Sequence, residues 1–229
     1  NGGNAGTLTP GMSVFLAYQL SPDFKCGVSV TTPYGGSLTY NDGFVGRYVV
    51  QTTLFYTINL NPSVAYRVND WLGVAAGVSL EYMDLHQTVA LPSPGLADGQ
   101  LDIKADNYAA GFNAGVMFTP TSATKIGVAY RSQITHNLKG NLTFLRINPV
   151  PDIGTKIVMP QNVIASLSQD FSCGLTLLAE AGWANWSSMQ DTILNLRNLA
   201  VVTPRHWRDT FRLGLGGQYP LTPSMTLQA

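Results

Sequence analysis

Charge is the first thing this sequence is short of. Only 11% of its 229 residues are Asp, Glu, Lys or Arg, against roughly 25% in soluble domains. Much of the surface therefore does not face water. Yet no run approaches the ~18 uninterrupted apolar residues that a membrane helix needs, so a helical membrane protein is excluded. Neither sign of charge is in excess, since 13 basic residues balance 13 acidic ones. Without a basic stripe to displace counterions from phosphates, nucleic acid is set aside as a partner. Cysteine is nearly absent: Cys26 and Cys173 cannot build a disulfide framework and lack metal-ligand spacing. Both read as small apolar, unbridged residues on lipid-facing positions. No metal site follows, and no glycine loop of the phosphate-cradling kind implies a nucleotide or other cofactor. The first residue is not Met and no leader with a small-residue cleavage site is visible, which says nothing about export. Catalysis also lacks its parts. No Ser or Cys is spaced beside a His and a carboxylate, so the chain reads as no enzyme and His86, His136 and His206 as solvated loop residues.

What the sequence does have is alternation. Over residues 53–68, Leu54, Tyr56, Ile58, Leu60, Pro62, Val64, Tyr66 and Val68 share one face, opposite Thr53, Phe55, Thr57, Asn59, Asn61, Ser63, Ala65 and Arg67. This run is longer than the ~5–6 residues of a soluble strand and suits a tilted membrane strand of about 9–11 residues with extra length beyond the bilayer. Pro62 lacks a ladder donor, so a bulge or an unpaired position is expected there. The pattern returns over 71–83 and 108–118, where Tyr108 and Phe118 cap a lipid face as interfacial girdles require. Further strands fit at 14–20, 24–31, 126–135, 157–168, 173–186 and 209–219, with a last one beginning near Met225.

The connections alternate in length. Short turns at 21–23, 69–70, 120–124, 169–171 and 220–224 separate long segments at 33–47, 86–104, 138–156 and 187–208. Short turns on one side and long loops on the other are the habit of outer-membrane barrels, the long ones extracellular. The fold expected is all-β, an antiparallel transmembrane β-barrel in the bacterial outer membrane, with about ten strands in one partial domain over 1–229. The outward set is expected to include Leu54, Ile58, Val64, Leu72, Val78, Phe112, Val128, Leu167, Leu177, Leu213 and Leu215.

Several ordered stretches resemble the long-chain fatty acid transporter (FadL) family, which includes the aromatic-hydrocarbon channels related to TodX. They are VSVTTPYG at 28–35, LNPSVAYRVNDWLGVAAGVSLEY at 60–82, GFNAGVMFTPTSATKIGVAYRS at 111–132, KG at 139–140, MPQNV at 159–163, WANWSSM at 183–189 and DTFRLGLGGQY at 209–219. The resemblance covers nearly the whole chain and rests on order and spacing. It implies a monomeric barrel of fourteen strands, closed by an N-terminal hatch and releasing apolar ligands sideways beside a kinked third strand. By the same resemblance the chain begins at the second strand and stops within about the eleventh. The hatch and its Asn-Pro-Ala segment would then be absent, and Asn61-Pro62 is not it. The kinked, lateral-opening strand would be 24–36, with Thr32, Pro33, Gly35 and Gly36 at the break.

Alternation points Glu81, Arg131, Glu180 and Arg212 into the lumen, where charge avoids the cost of about 2–4 kcal/mol that it would carry on the lipid face near the midplane. They form either an internal polar network or, for Arg131, a partner for a substrate carboxylate. Glu180 and Arg212 are expected at one height as a lumenal ion pair. Trp183, Trp186 and Trp207 read as membrane anchors. Apolar residues in two outer loops, Val89, Leu91, Leu96 and Leu101 with Leu142, Phe144, Leu145 and Ile147, form by position a ligand groove or pack on each other. Phe55 joins them as a lumenal candidate. The function expected is passive uptake of a long-chain fatty acid or another hydrophobic small molecule, by a monomer surrounded by outer-membrane lipid and lipopolysaccharide. A porin-like or structural barrel is the alternative, and a soluble lipocalin-type barrel the third class. The inward set of Gly, Ala, Ser, Thr and Asn with Phe15, Phe55 and Met83 favours a narrow, filled lumen over a charged pore.

Overall fold

The computed structural model describes residues 2–93, 95, 97–144, 150–196, 199–222 and 225–229. The described residues form one antiparallel sheet of β1 (Ser13–Gln19), β2 (Phe24–Thr31), β3 (Gly35–Thr39), β4 (Thr52–Arg67), β5 (Leu72–Leu91), β6 (Gly99–Thr121), β7 (Thr124–Arg131), β8 (Ile134–Phe144), β9 (Val150–Met159), β10 (Asn162–Asp170), β11 (Thr176–Ala184), β12 (Asp191–Leu196), β13 (Leu199–Pro204), β14 (Thr210–Thr222) and β15 (Met225–Gln228). The neighbour order is β1-β2-β4-β5-β6-β7-β10-β11-β14-β15, with β3, β8, β9, β12 and β13 stacked above the rest at the end away from the short turns. Five pairs (β2 with β3, β7 with β8, β9 with β10, β11 with β12, β13 with β14) are lower and upper halves of single wall strands. The wall thus has the ten strands that alternation implies.

Polarity decides which face is which. On β4 and β5, Thr57, Asn59, Asn61, Ser79 and Glu81 are buried, whereas Ile58, Leu60, Val64, Val78 and Leu80 are exposed. A water-soluble sheet does the reverse, so the exposed apolar face is the one that lipid covers. Of the eleven residues expected outward, Ile58, Val64, Val78, Phe112, Val128, Leu177, Leu213 and Leu215 are exposed. Leu54, Leu72 and Leu167 are half-buried, and none of the eleven is buried.

Three segments read as long loops are largely strand, which corrects the expectation for 86–104, 138–156 and 187–208. β5 and β6 pair without interruption up to Leu91↔Gly99, and β8 pairs β6 and β9 over most of its length. The alternation is present there with its sense inverted. Below Tyr82 and Tyr108 the outward residues are apolar and the inward ones small or polar. Above them His86, Lys104, Asp106, Asn137, Lys139 and Asn141 face outward while Met83, Ile103, Ala105, Leu138 and Leu142 are buried inside. The side chains of Tyr82 and Tyr108 face each other across β5 and β6 with ring centroids 4.8 Å apart. They mark the level at which hydrocarbon gives way to water.

Pro62 creates an unpaired position without a bulge. The β4–β5 register runs to Leu60↔Leu80 and resumes unshifted at Ser63↔Gly77. The acceptor that a non-proline residue would serve, the Val78 carbonyl, instead receives the Asn61 side-chain amide at 2.9 Å. The same nitrogen donates to Asn113 Oδ1 at 2.8 Å and Ser79 Oγ at 3.1 Å. Gly77 makes room for this node, because a Cβ there would lie 2.6 Å from Asn113 Oδ1 and 2.9 Å from the Pro62 carbonyl. Cys26 and Cys173 are both free. Cys173 sits in the turn between β10 and β11 rather than on a strand, where Gly174 takes a left-handed φ of 88°.

Replacing Asn61 by Ala leaves the Val78 carbonyl and Asn113 Oδ1 without this donor, so the barrel should lose about 1–3 kcal/mol. Urea unfolding in lipid vesicles, with Ser63→Ala as an unconnected control, measures it.

Candidate functional site

The lumen is divided by the polar residues that β4, β5 and β8 point inward. Glu81 accepts from Asn59 Nδ2 at 3.0 Å on one oxygen and pairs with His136 Nε2 at 3.1 Å on the other. Glu81 is 1% exposed and His136 is fully buried, so His136 is a lumenal tie between β5 and β8 and not a solvated loop residue. Nor is His86 in a loop: it lies on β5, 3.0 Å from Asp102. His206 is exposed, as expected. Around the Glu81–His136 tie, Met83, Ala105 and Leu138 on its outer side pack with Ile134 and Met159 on its inner side in one apolar cluster.

Beneath lie two cavities of about 710 and 760 Å³ that share Ala75, Gly115, Ala129 and Ile164 and so form one path toward the short-turn end. The upper one is lined by Tyr34, Asn113, Arg131, Asn162, Trp186 and Arg212. Arg131 makes no ion pair or side-chain hydrogen bond among the described residues, and its guanidinium lies within electrostatic reach of the Tyr34 phenol. Trp186 packs edge-on against Tyr34 at 6.0 Å and against Trp207 at 5.1 Å. That corrects its reading as a membrane anchor: a turn of 3-10 helix (Trp186–Ser188) breaks the alternation after β11 and swings the ring inside. The Glu180–Arg212 pair forms at 2.5 Å, but diagonally, since the ladder sets Glu180 opposite Gly214 and Arg212 opposite Gly182. It is also wet, the two side chains being 40% and 66% exposed.

The kink lies at Thr32, Pro33 and Tyr34. Thr31 pairs with Asn59 and Gly35 with Tyr56, so three residues of the kink oppose two of β4. The Thr57 hydroxyl takes up the backbone that this bulge frees, accepting from Tyr34 N at 3.1 Å and donating to Tyr34 O at 3.2 Å. Gly35 and Gly36 therefore do not end the ladder with β4; they resume it, and the ladder with β1 is the one that stops, at Ser13↔Thr31. From the Met12–Thr32 contacts to the isolated Gly6↔Leu38 bridge, no ladder covers the outer edge of β3. The five residues between, Pro33 to Ser37, form a gap in the ladder among the described residues, a window at which Thr9 stands against Gly35. The ring of Phe55 lies over Gly36, where a Cβ would come within 2.9 Å of it.

Of the loop candidates, Val89 pairs with Leu101 across the β5–β6 hairpin, Leu91 with Gly99, and Phe144 with Leu101 on the other side. Of these candidates, Leu101 and Leu142 pack with buried Ile103 and Ile153 as a core. Leu96, Leu145 and Ile147 lie outside the described residues. Sequence reading missed Tyr34 and the Asn61–Asn113 node; the proline in each strand was the signal that could have found them.

An antiparallel sheet with a lipid-facing exterior, a polar interior and a lumenal path is the wall of an outer-membrane β-barrel of the transport class. Residues 4–229 match the family described as outer membrane protein transport protein (OMPP1/FadL/TodX), and the chain belongs to that family. It is 25% identical over 242 residues to a long-chain fatty acid transport protein of Salmonella typhi, covering 90% of this chain and 56% of that one. It is 24% identical to outer membrane protein P1 of Haemophilus influenzae, covering 97% and 57%. A crystal structure of a Pseudomonas aeruginosa FadL homologue superposes with a TM-score of 0.86 at 25% identity, over 94% of this chain and 58% of that one. The Ralstonia pickettii toluene transporter TbuX shares the fold, with a TM-score of 0.77 at 21% identity over 94% and 67%. The chain thus spans little more than half the length of the curated relatives named here.

The two lumenal acid–base pairs should behave differently. Glu81→Ala leaves His136 and Asn59 buried without their acceptor and should cost about 3–5 kcal/mol, whereas Glu180→Ala should cost about 1 kcal/mol or less because water already reaches the pair. Parallel denaturant titrations of the two variants give the comparison.

Proposed function

We propose that the chain is the wall of a monomeric channel for passive uptake of hydrophobic compounds, with long-chain fatty acids as the substrate class. In this reading ligand enters between the outer hairpins, passes the Glu81–His136 level, rests in the upper cavity and leaves sideways through the window beside β3 into outer-membrane lipid. No cofactor or energy source takes part. The observation that carries the substrate class is the unpaired guanidinium of Arg131 on the upper cavity. A half-buried cation without a partner offers a neutral hydrocarbon nothing and meets a carboxylate with two parallel donors. The names of the Salmonella relative and of the toluene transporter bracket the choice, and Arg131 favours the acid. The apolar cluster around Met83 and Leu138 argues against a porin-like barrel, because a water-filled pore needs an open polar constriction.

Arg131→Gln should reduce oleate uptake by about tenfold or more, the value of one lost charge-assisted interaction of roughly 1.5–3 kcal/mol, and leave toluene uptake unchanged. Measured in cells with the complete protein, an equal effect on both ligands removes the case for a carboxylate. The window is tested separately by Thr9→Cys with Gly35→Cys, after Cys26 and Cys173 are changed to Ser. A Cβ on Gly35 would lie 3.7 Å from Thr9 Cγ2, within reach of a disulfide. Oxidation should stop uptake and reduction restore it; uptake indifferent to the bridge places the exit elsewhere.

A further inference from the structure

The outward face of β6, β8 and β9 above the tyrosine belt has no role in moving ligand, and its chemistry is distinctive. Lys104 on β6 lies opposite Asn141, two residues from Lys139 on β8; Lys139 lies two residues from Asn137, which is opposite Lys156 on β9. The three lysines therefore step diagonally across three adjacent strands, with Cβ atoms about 7–8 Å apart. All three are exposed, and because the opposite face of these strands is buried, their side chains can point only away from the barrel. Lys139 and Lys156 have no ion pair or side-chain hydrogen bond among the described residues. Three acids share this face. Asp102 lies 3.0 Å from His86 and 3.7 Å from Lys104, Asp84 accepts from the Tyr82 hydroxyl at 3.4 Å, and Asp106 lies opposite Lys139 without a salt bridge to it. Exposed Asn137 and Asn141 alternate with the lysines. Directly below, Tyr108 presents its ring with 78% exposure beside Tyr82.

We propose that this face is a docking surface for the phosphorylated sugar headgroup of lipopolysaccharide in the outer leaflet. The belt formed by Tyr82 and Tyr108 fixes the level of acyl chains, and a row of cations immediately above it meets the level of headgroup phosphates. Lys104, Lys139 and Lys156 meet phosphate oxygens, Asn137 and Asn141 the sugar hydroxyls, and the Tyr108 ring the first acyl carbons. Amides between cations suit a sugar phosphate better than a diacyl phospholipid, whose phosphate offers one charge and few hydroxyls.

The complete protein, stripped of lipid in detergent and then given purified lipopolysaccharide, phosphatidylglycerol vesicles or inorganic phosphate, reports binding by native mass spectrometry. The natural protein should retain lipopolysaccharide in preference to the other two. Lys139→Gln with Lys156→Gln should lower that retention about thirtyfold, from roughly 1 kcal/mol per lysine at an anionic surface, while Lys139→Arg with Lys156→Arg keeps it. Circular dichroism confirms that both variants hold the strand content of the parent. Undiminished retention by the Gln variant overturns the proposal, as does equal or better binding of phosphatidylglycerol or free phosphate by the natural protein.

Discussion

The boundary between hydrocarbon and water, crossed by every long strand at the level of Tyr82 and Tyr108, is the constraint on which the rest of the structure depends. In the bilayer a backbone group without a partner costs several kcal/mol, so the wall must be a sheet whose ladders are kept, and its outer face must be apolar. Polar groups then collect inside. Once a strand passes the boundary, water replaces lipid and the same alternation must change sense. β5 does so between Glu81 and Met83 on its inner face and between Tyr82 and Asp84 on its outer one. The apolar cluster around the lumenal tie and the charged exterior above the belt are two consequences of that one change of solvent.

A second consequence is where the strands break. β4, β5 and β6 run through without interruption, while their neighbours are cut at Thr32 to Tyr34, at Ser132 and Gln133, and at Pro160 and Gln161. Each cut leaves backbone groups that ladders would have satisfied, and other groups take them up: the Thr57 hydroxyl at Tyr34, the Ser132 hydroxyl accepting from Phe112 N at 2.9 Å, and Asn185 N donating to the Gln161 carbonyl at 3.0 Å. The unbroken strands form a spine, and the outer hairpins built from β8, β9 and β12 stand on cut ones. The same arrangement places Tyr34 inside, where its ring meets Trp186 from the far wall and narrows the path above Arg131.

These features give the family's transport reading a physical form. Small residues in the lower walls of the path, the unpaired guanidinium of Arg131 in its upper cavity and a gap in the ladder beside β3 are the features on which the proposed reading rests. The buried tie between Glu81 and His136 lies within the apolar cluster, so one level of the lumen fixes β5, β8 and β9 together.

The alternation in the sequence determined the class of fold, the number of wall strands and the lipid-facing residues, because period-two polarity inside a bilayer has one geometric solution. It also determined that Glu81, Arg131, Glu180 and Arg212 face inward. The extent of the strands above the belt was not legible, since the inverted pattern over 86–104 and 138–156 puts polar residues such as Gln87 on the inner face and reads locally as loop. The partners of the inward charges were not legible either. Alternation gives the face of a side chain and not its neighbour across the lumen, so the pairing of Glu81 with His136, the diagonal offset of Glu180 from Arg212 and the turn of Trp186 onto Tyr34 were decided only when the sheet curved and brought distant strands face to face.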